Sequence, residues 1–331
     1  MDLIEQCETA KSRALGWLES RIEKDGSLVG SEDHIFGYYK GPLALSIGGC
    51  QLEADRVARV IKDRFFLDGR FDRGEQYEGA GAGPIYRDSW LTWGMHLLGH
   101  FDMSIAGGNS IVARTCRTTG AAFAHEGEDV LDVGLTCCAM TALLVTGHTE
   151  AAIKGSELVL KVINEQPEPS NAVYFRWSPT HGFVTASDRQ SPGWIVRMGE
   201  KGEVYWYLGY CLVLMASMYQ VTSNKKWLEG AERVSGFVNA CHPEVFESVT
   251  SGKIGWGYAD LHCVTDDPQY ADAAERIGRE ICEVQDKSGQ WFRKAGQPAP
   301  VSFDATFERV FYLTRIERAL QKFQNSSEDR R

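Results

Sequence analysis

Two kinds of helical segment alternate along this chain, and that alternation limits its architecture more than any motif does. Apolar residues recur at the helical period almost throughout, and runs with strict two-residue alternation are nearly absent. The pattern predicts helices over 2–23, 38–49, 51–66, 86–101, 105–125, 131–147, 149–165, 203–221, 224–241, 256–265, 268–285 and 303–321. Gly26, Gly48-Gly49 and Gly147 stand at predicted stops, and Pro268 at a predicted start. The odd-numbered segments, such as EADRVARVIKDRFF and YADAAERIGREICEVQ, are amphipathic and charged. The even-numbered ones, such as DVGLTCCAMTALLVTG and YLGYCLVLMASMY, are small and apolar. A helix apolar on most faces is buried and one with a polar face lies outside, so the two kinds sort into an inner and an outer ring.

The inner segments begin near 38, 86, 131, 203, 256 and 303, at intervals of 48, 45, 72, 53 and 47 residues, a period typical of a helical repeat array. Links from inner to outer segments are very short, as at Gly49-Cys50 and His148-Thr149, while the reverse links are long. All long loops therefore gather at one end, above the N-termini of the inner helices. At 331 residues two domains are a common outcome, but closed architectures hold this length in one. The expectation is a single domain over 1–322, followed by a polar, disordered tail at 323–331.

Three outer segments end alike. RIEKDGSL carries Arg21, Gly26 and Leu28; RFFLDGRF carries Arg64, Gly69 and Phe71; QDKSGQW carries Gln285, Gly289 and Trp291. Each is a helix stop with a glycine suited to a left-handed C-cap, and each is also one copy of a repeat. The last copy resembles the Q-W motif of the terpenoid cyclase and protein prenyltransferase toroids. That resemblance implies an all-α (α/α)6 toroid over about 1–320. It does not extend to those families' chemistry. The D-x-D-D and D-D-x-x-D acid motifs are missing, since Asp266-Asp267-Pro268-Gln269-Tyr270 lacks the last acid, and no set matches the prenyltransferase zinc ligands. The same toroid also occurs in sugar epimerases, unsaturated-uronate hydrolases and polysaccharide lyases, so the fold alone does not choose among them.

A formal net charge of −10 argues against nucleic acid and anionic membranes as partners, because phosphate binding needs a basic face. No stretch has the length and apolarity of a membrane span, and the start, MDLIEQCETAKSRALGW, has no apolar run of signal-peptide length. The nine cysteines form no C-x-x-C pair and read as small core residues of a reduced, cytoplasmic protein. His96 and His100 have a spacing that can bind zinc, but without the zincin glutamate they are read as structural, and no metal or cofactor is expected. Homo-oligomerisation is left open by the sequence.

Residues that carry chemistry collect where the inner helices begin. Five inner segments bring an acid there: Asp88, Asp132, Glu203, Asp260 and Asp304. Capping and the helix macrodipole also favour acids at such places, so each is weighed as a cap as well as a site residue. Aromatic and basic residues accompany them, and Tyr38, Tyr39, Arg87, Trp90, Trp206, Trp256, Asp304 and Glu308 are assigned to substrate binding. The long link 166–202 is rich in aromatics and is read as a lid, with YFRW and FVTA forming a small hairpin. It adds Arg176, Trp177 and Arg189 to the binding set. Within it His181 is the candidate for proton transfer, with Asp188, Glu203 or Asp88 as the partner acid or base. Arginines there suit a carboxylate or enolate oxygen.

The expected function is a metal-independent acid–base enzyme, an isomerase, cyclase or lyase, acting on an apolar or polycyclic small molecule of secondary metabolism. The alternative is a carbohydrate-active enzyme on the same toroid: an unsaturated uronate hydrolase, a lyase or a sugar epimerase. A non-catalytic small-molecule binding protein is the third reading.

Overall fold

A computed structural model of the chain describes residues 2–71, 83–125, 127–185 and 193–328. The first outer helix is α1 (Leu3–Glu19), and the first inner element is the short turn α2 (Ile35–Tyr38) followed by α3 (Gly41–Ile47). Outer helix α4 (Gln51–Val60) ends in a π-helical turn over Ile61–Phe65. Inner α5 (Pro84–Leu97) pairs with outer α6 (Phe101–Ala113), and inner α7 (Val133–Val145) with outer α8 (Thr149–Asn164). Inner α9 (Trp206–Thr222) and outer α10 (Lys226–Ala240) follow, then inner α11 (Gly252–Thr265), outer α12 (Pro268–Glu283) and inner α13 (Ala299–Glu328). Helix α3 packs on α5, α5 on α7, α7 on α9, α9 on α11, α11 on α13, and α13 back on α3. The inner ring is closed, and the fold is an (α/α)6 toroid.

Burial follows the sequence pattern. Every residue from Val133 to Leu143 of α7 is buried, as is every residue from Tyr207 to Ala216 of α9. On outer α12 only a stripe, Tyr270, Ala271, Ala274, Ile277, Gly278 and Ile281, is buried. That spacing is one face of a helix laid on the inner ring. Side chains pointing to the axis meet and fill it. The rings of Trp256 and Phe311 stand 4.7 Å apart, and those of Trp90 and Phe311 5.2 Å.

The repeated turn is a clasp between successive outer helices. Gly289 has a φ of +96°, and a Cβ there would lie 2.4 Å from the backbone oxygen of Arg13 in α1. The Gln285 amide donates to the carbonyls of Ala10 at 2.8 Å and Gly289 at 2.7 Å, while the Trp291 indole N–H donates to the carbonyl of Ile281 at 2.8 Å. The turn thus ties the end of α12 to α1 and closes the outer ring. Gly26 sits the same way against Arg56 of α4. A further turn of this kind, Thr115–Ala122, lies against Lys154 and Gly155 of α8. It replaces the last part of the helix expected over 105–125.

The helix boundaries differ in two places that matter. Helix α11 starts at Gly252 and α13 at Ala299, each four residues before its expected start. Glycines of α9 and α11 are contact points between the inner helices. A Cβ on Gly252 would lie 2.4 Å from the ring of Tyr312, and one on Gly209 2.4 Å from the backbone of Lys253. They let α9, α11 and α13 approach closely. The early start of α11 moves Asp260 to its third turn, away from the open end. At the other end of the chain, α13 runs on through Glu328, so much of the expected disordered tail is helix.

The link 166–202 is more structured than a bare loop. Strand β1 (Leu131–Asp132) precedes α7; β2 (Ala172–Tyr174), β3 (Arg176–Ser178), β4 (Gly182–Phe183) and β5 (Ile195–Arg197) follow α8. β3 lies between β1 and β4, with Trp177 opposite Leu131 on one side and Phe183 on the other, and β2 pairs with β5. The expected hairpin is therefore the β3–β4 pair. No helix among the described residues is long and apolar enough to cross a membrane.

Candidate active site

A cavity of about 250 Å³ opens at the N-terminal end of the inner ring. All six inner elements reach it: Phe36 from α2, Tyr86 from α5, Leu135 from α7, Trp206 from α9, Lys253 from α11 and Glu308 from α13. Tyr39, Val249, Thr250 and Arg293 complete the lining. The walls are aromatic, and the floor is a network of charges.

Glu308 is the centre of that network. Its Oε1 accepts from Lys40 Nζ and from Lys253 Nζ, each at 2.6 Å, and its Oε2 faces Arg293 at 3.4 Å and Arg309 at 3.7 Å. Asp304 takes Lys40 at 2.7 Å on one oxygen and Arg293 on the other. Arg309 also donates to the carbonyls of Ala305 and Val249, which fixes its plane. Burial works to raise the Glu308 pKa, but Lys253, Lys40, Arg293 and Arg309 outweigh it and hold the carboxyl well below the usual range. Glu308 is therefore an anion that positions cations and has no proton to give. Lys253 is driven the other way: burial first, with Lys40 and Arg293 as like charges, brings it down to about 8, against the pull of Glu308. A cavity-lining amine with that pKa can exchange a proton near neutral pH.

A second chain of groups reaches the cavity through Tyr86. The Trp90 indole N–H donates to the Tyr210 hydroxyl at 3.2 Å, which donates to the Tyr86 hydroxyl at 2.8 Å. Tyr86 is left with its own proton for a further partner. Burial keeps the Tyr86 phenol well above its ordinary pKa, so it stays protonated.

The residues singled out from the sequence divide into groups. Tyr39, Trp206 and Glu308 line the cavity, and Asp304 stands behind them through Lys40 and Arg293. Trp90 and Trp256 stand instead in the axial core, 2% and 1% exposed, because inward rings from six helices must fill the axis. Tyr38 is also buried, its hydroxyl accepting from the Leu28 N–H at 2.9 Å. Asp88 is held by Arg87 at 3.0 Å and by Arg114. Glu203 is held by Arg197, through its backbone N–H at 3.1 Å and its guanidinium at 3.0 Å. Asp132 caps α7 and takes the Tyr207 hydroxyl at 2.7 Å and Arg176 at 3.1 Å. Asp260 accepts from Trp256 and Arg315.

Other assigned residues lie off the cavity wall. Trp177 lies under Lys161, 4.8 Å from the ring centroid. His181 is exposed in the β3–β4 turn, its backbone N–H bound to Ser178 Oγ at 3.1 Å. Asp188 and Arg189 lie outside the described residues. No described residue of 166–202 lines the cavity. The described part of that link docks on α9, where Phe175 stacks on Tyr207 at 4.6 Å. His96 and His100 go to separate partners, Ser104 and Asp55, and His100 lies beyond the end of α5. The sequence reading missed Lys40, Lys253, Arg293 and Arg309. The signal was there in part: Lys40 in YYKGPLAL and Lys253 in SGKIGWGY are single charges in otherwise uncharged stretches.

The same toroid is found in solved structures. Over 94% of this chain and 97% of the other, it superposes on a D-mannose isomerase with a TM-score of 0.69 at 9% identity. An unsaturated glucuronyl hydrolase specific for heparin matches with a TM-score of 0.67 at 13% identity, over 97% and 98% of the two chains. Cellobiose 2-epimerase from Spirochaeta thermophila matches with a TM-score of 0.66 at 11% identity, over 97% and 98%. All three are named as enzymes of sugars. They overturn the expected kinship with terpenoid cyclases and prenyltransferases, and with it the expected substrate of secondary metabolism. The Q-W-like turn misled because it is a solution to closing an outer ring, and any toroid has that problem. No protein-family model and no curated protein matches the sequence.

Proposed function

We propose that the chain is a carbohydrate-active enzyme of the isomerase, epimerase or lyase kind, acting on a small saccharide in the cavity above the inner ring. The observation that carries this reading is the lining: an amine, Lys253, and a phenol, Tyr86, share one cavity with the aromatic face of Trp206. Aromatic faces suit the C–H faces of a sugar ring. The volume, about 250 Å³, is near the lower end of small-molecule sites and suits a single sugar ring.

Isomerisation, epimerisation and elimination each begin with removal of a proton beside a carbonyl or carboxylate. Lys253 serves as the base and Tyr86 as a hydrogen-bond donor to the oxygen that gains charge. Glycoside hydrolysis fits this lining less well, because it calls for two carboxyl groups across the scissile bond, one of them protonated. Among the described residues the one carboxylate on the wall is Glu308, which cations keep ionised.

Incubating the protein with mannose, cellobiose and glucuronate in D2O, and following the sugar protons by NMR, tests the reading. Loss of the proton signal beside the carbonyl or carboxylate is expected for at least one sugar and is absent in Lys253→Met. Release of a reducing end with no exchange at carbon would make the protein a hydrolase and sink the proposal.

A further inference from the structure

The chain as a whole is acidic, with a formal net charge of −10, yet the cavity floor gathers four cations around two carboxylates among the described residues. Two of the four are spent within the protein. Lys40 is 1% exposed and bound to both acids, and Arg309 is 5% exposed and bound to backbone carbonyls as well as Glu308. The other two face the cavity with capacity left. An ammonium has three N–H donors and a guanidinium five. Among the described residues Lys253 has one hydrogen-bond partner, Glu308, and Arg293 Nη2 bonds Asp304 and Glu308 while its side chain remains 37% exposed.

An excess of buried positive charge is costly unless something offsets it. A low-dielectric cavity whose floor carries a net positive charge concentrates the opposite sign.

We infer that the ligand of this cavity carries an oxyanion, a carboxylate or a phosphate, and that Arg293 receives it, with Lys253 beside it as the base and a nearby charge. This rests on the sugar reading above and narrows it to acidic sugars. The lowered proton affinity of Lys253 is due first to burial, and the like charges of Lys40 and Arg293 add to it; a bound anion would offset that second part. Glu308 and Asp304 fix the direction of both cations, so the oxyanion finds its donors already in place. Trp206 and Tyr39 then face the ring that bears it.

Titration of the full chain by tryptophan fluorescence, with Trp206 in the wall as reporter, tests this with four probes: D-glucuronate, D-glucose 6-phosphate, D-glucose and benzoate. One of the two acidic sugars is expected to bind at least tenfold more tightly than glucose, and which of them does so separates carboxylate from phosphate. Arg293→Met should remove that preference, while Arg293→Lys restores part of it. Far-UV circular dichroism establishes that both variants fold. Equal affinity for glucose and the acidic sugars, or an undiminished preference in Arg293→Met, overturns the inference and leaves the sugar reading standing. Arginine-dependent binding of benzoate with no sugar bound keeps the oxyanion site and removes the sugar reading. Failure of all four probes to bind overturns both.

Discussion

Lys40 and Lys253 place their ammonium groups on one oxygen atom, Oε1 of Glu308, each at 2.6 Å. Two like charges share a partner because the inner ring brings the starts of α3 and α11 beside the third turn of α13, and Glu308 is what makes that approach tolerable. Glu308→Gln keeps the shape and removes the charge, leaving Lys40, Lys253, Arg293 and Arg309 around a neutral amide. A loss of about 3–5 kcal/mol in unfolding free energy is expected by urea denaturation. Adding Lys40→Met should recover part of it. A change within about 0.5 kcal/mol would show that the network does not hold the inner ring.

The same carboxylate sets an acid limit. Its folded pKa lies well below the usual range, so its stabilisation is fully present above the unfolded value, near 4.3, and is lost as pH falls further. Thermal midpoints of the wild type should drop more steeply below about pH 4 than those of Glu308→Gln.

Lys253 sets the alkaline limit for ligand. It is charged below about 8 and neutral above, while Arg293 stays charged. Affinity for an acidic sugar should fall several-fold as pH rises through 8, because one of the two positive charges facing the ligand is lost. Lys253→Met should bind weakly and lose that pH dependence. Its folding linkage has the opposite sign: between about 8 and 10.4 the unfolded chain holds the proton that the folded one has released, so stability rises with pH there.

Two glycines with the same backbone should differ when substituted. Gly49 has a φ of +89° and nothing within 4 Å of where a Cβ would stand, whereas Gly289 at +96° would drive its Cβ to 2.4 Å from the Arg13 carbonyl oxygen. Gly49→Ala should cost the left-handed strain alone, about 1–2 kcal/mol. Gly289→Ala adds a clash with main chain and should cost well over ~3 kcal/mol, or prevent folding. Equal costs in urea unfolding would refute the clasp between α12 and α1.

Trp206 and His181 make a second contrast. Trp206→Ala removes a cavity wall and should weaken ligand at least tenfold, as loss of a stacking face does. His181→Ala, at an exposed hairpin turn, should leave ligand affinity unchanged and stability within about 0.5 kcal/mol. Calorimetric titration checks the first, and a strong effect of His181→Ala on ligand would restore the histidine to the site.

The toroid was legible because it rests on local regularities. The alternation of charged and apolar segments marked outer and inner helices, and short against long links marked the open end. The position of the cavity above the inner-helix N-termini followed from that. Which residues act there did not follow. Acids at helix starts such as Asp88 and Asp132 looked alike in the sequence, and each proved tied to an arginine. Lys253 was hidden because it precedes the helix start expected at 256, while in the fold α11 begins at Gly252, with Gly252 and Gly255 packed against neighbouring helices.

The sequence by itself determined which face of each helix is buried, how many hairpins there are and at which end the long loops lie, because a 3.6-residue period and a run of apolar residues are properties of one segment. Only the tertiary structure decided that Lys40, Lys253, Arg293, Asp304 and Glu308 form one site. Their partnership depends on the rotation and depth of three helices against one another, set by close glycine contacts, and a charge takes its meaning from the groups within a few ångströms of it rather than from its neighbours in the chain.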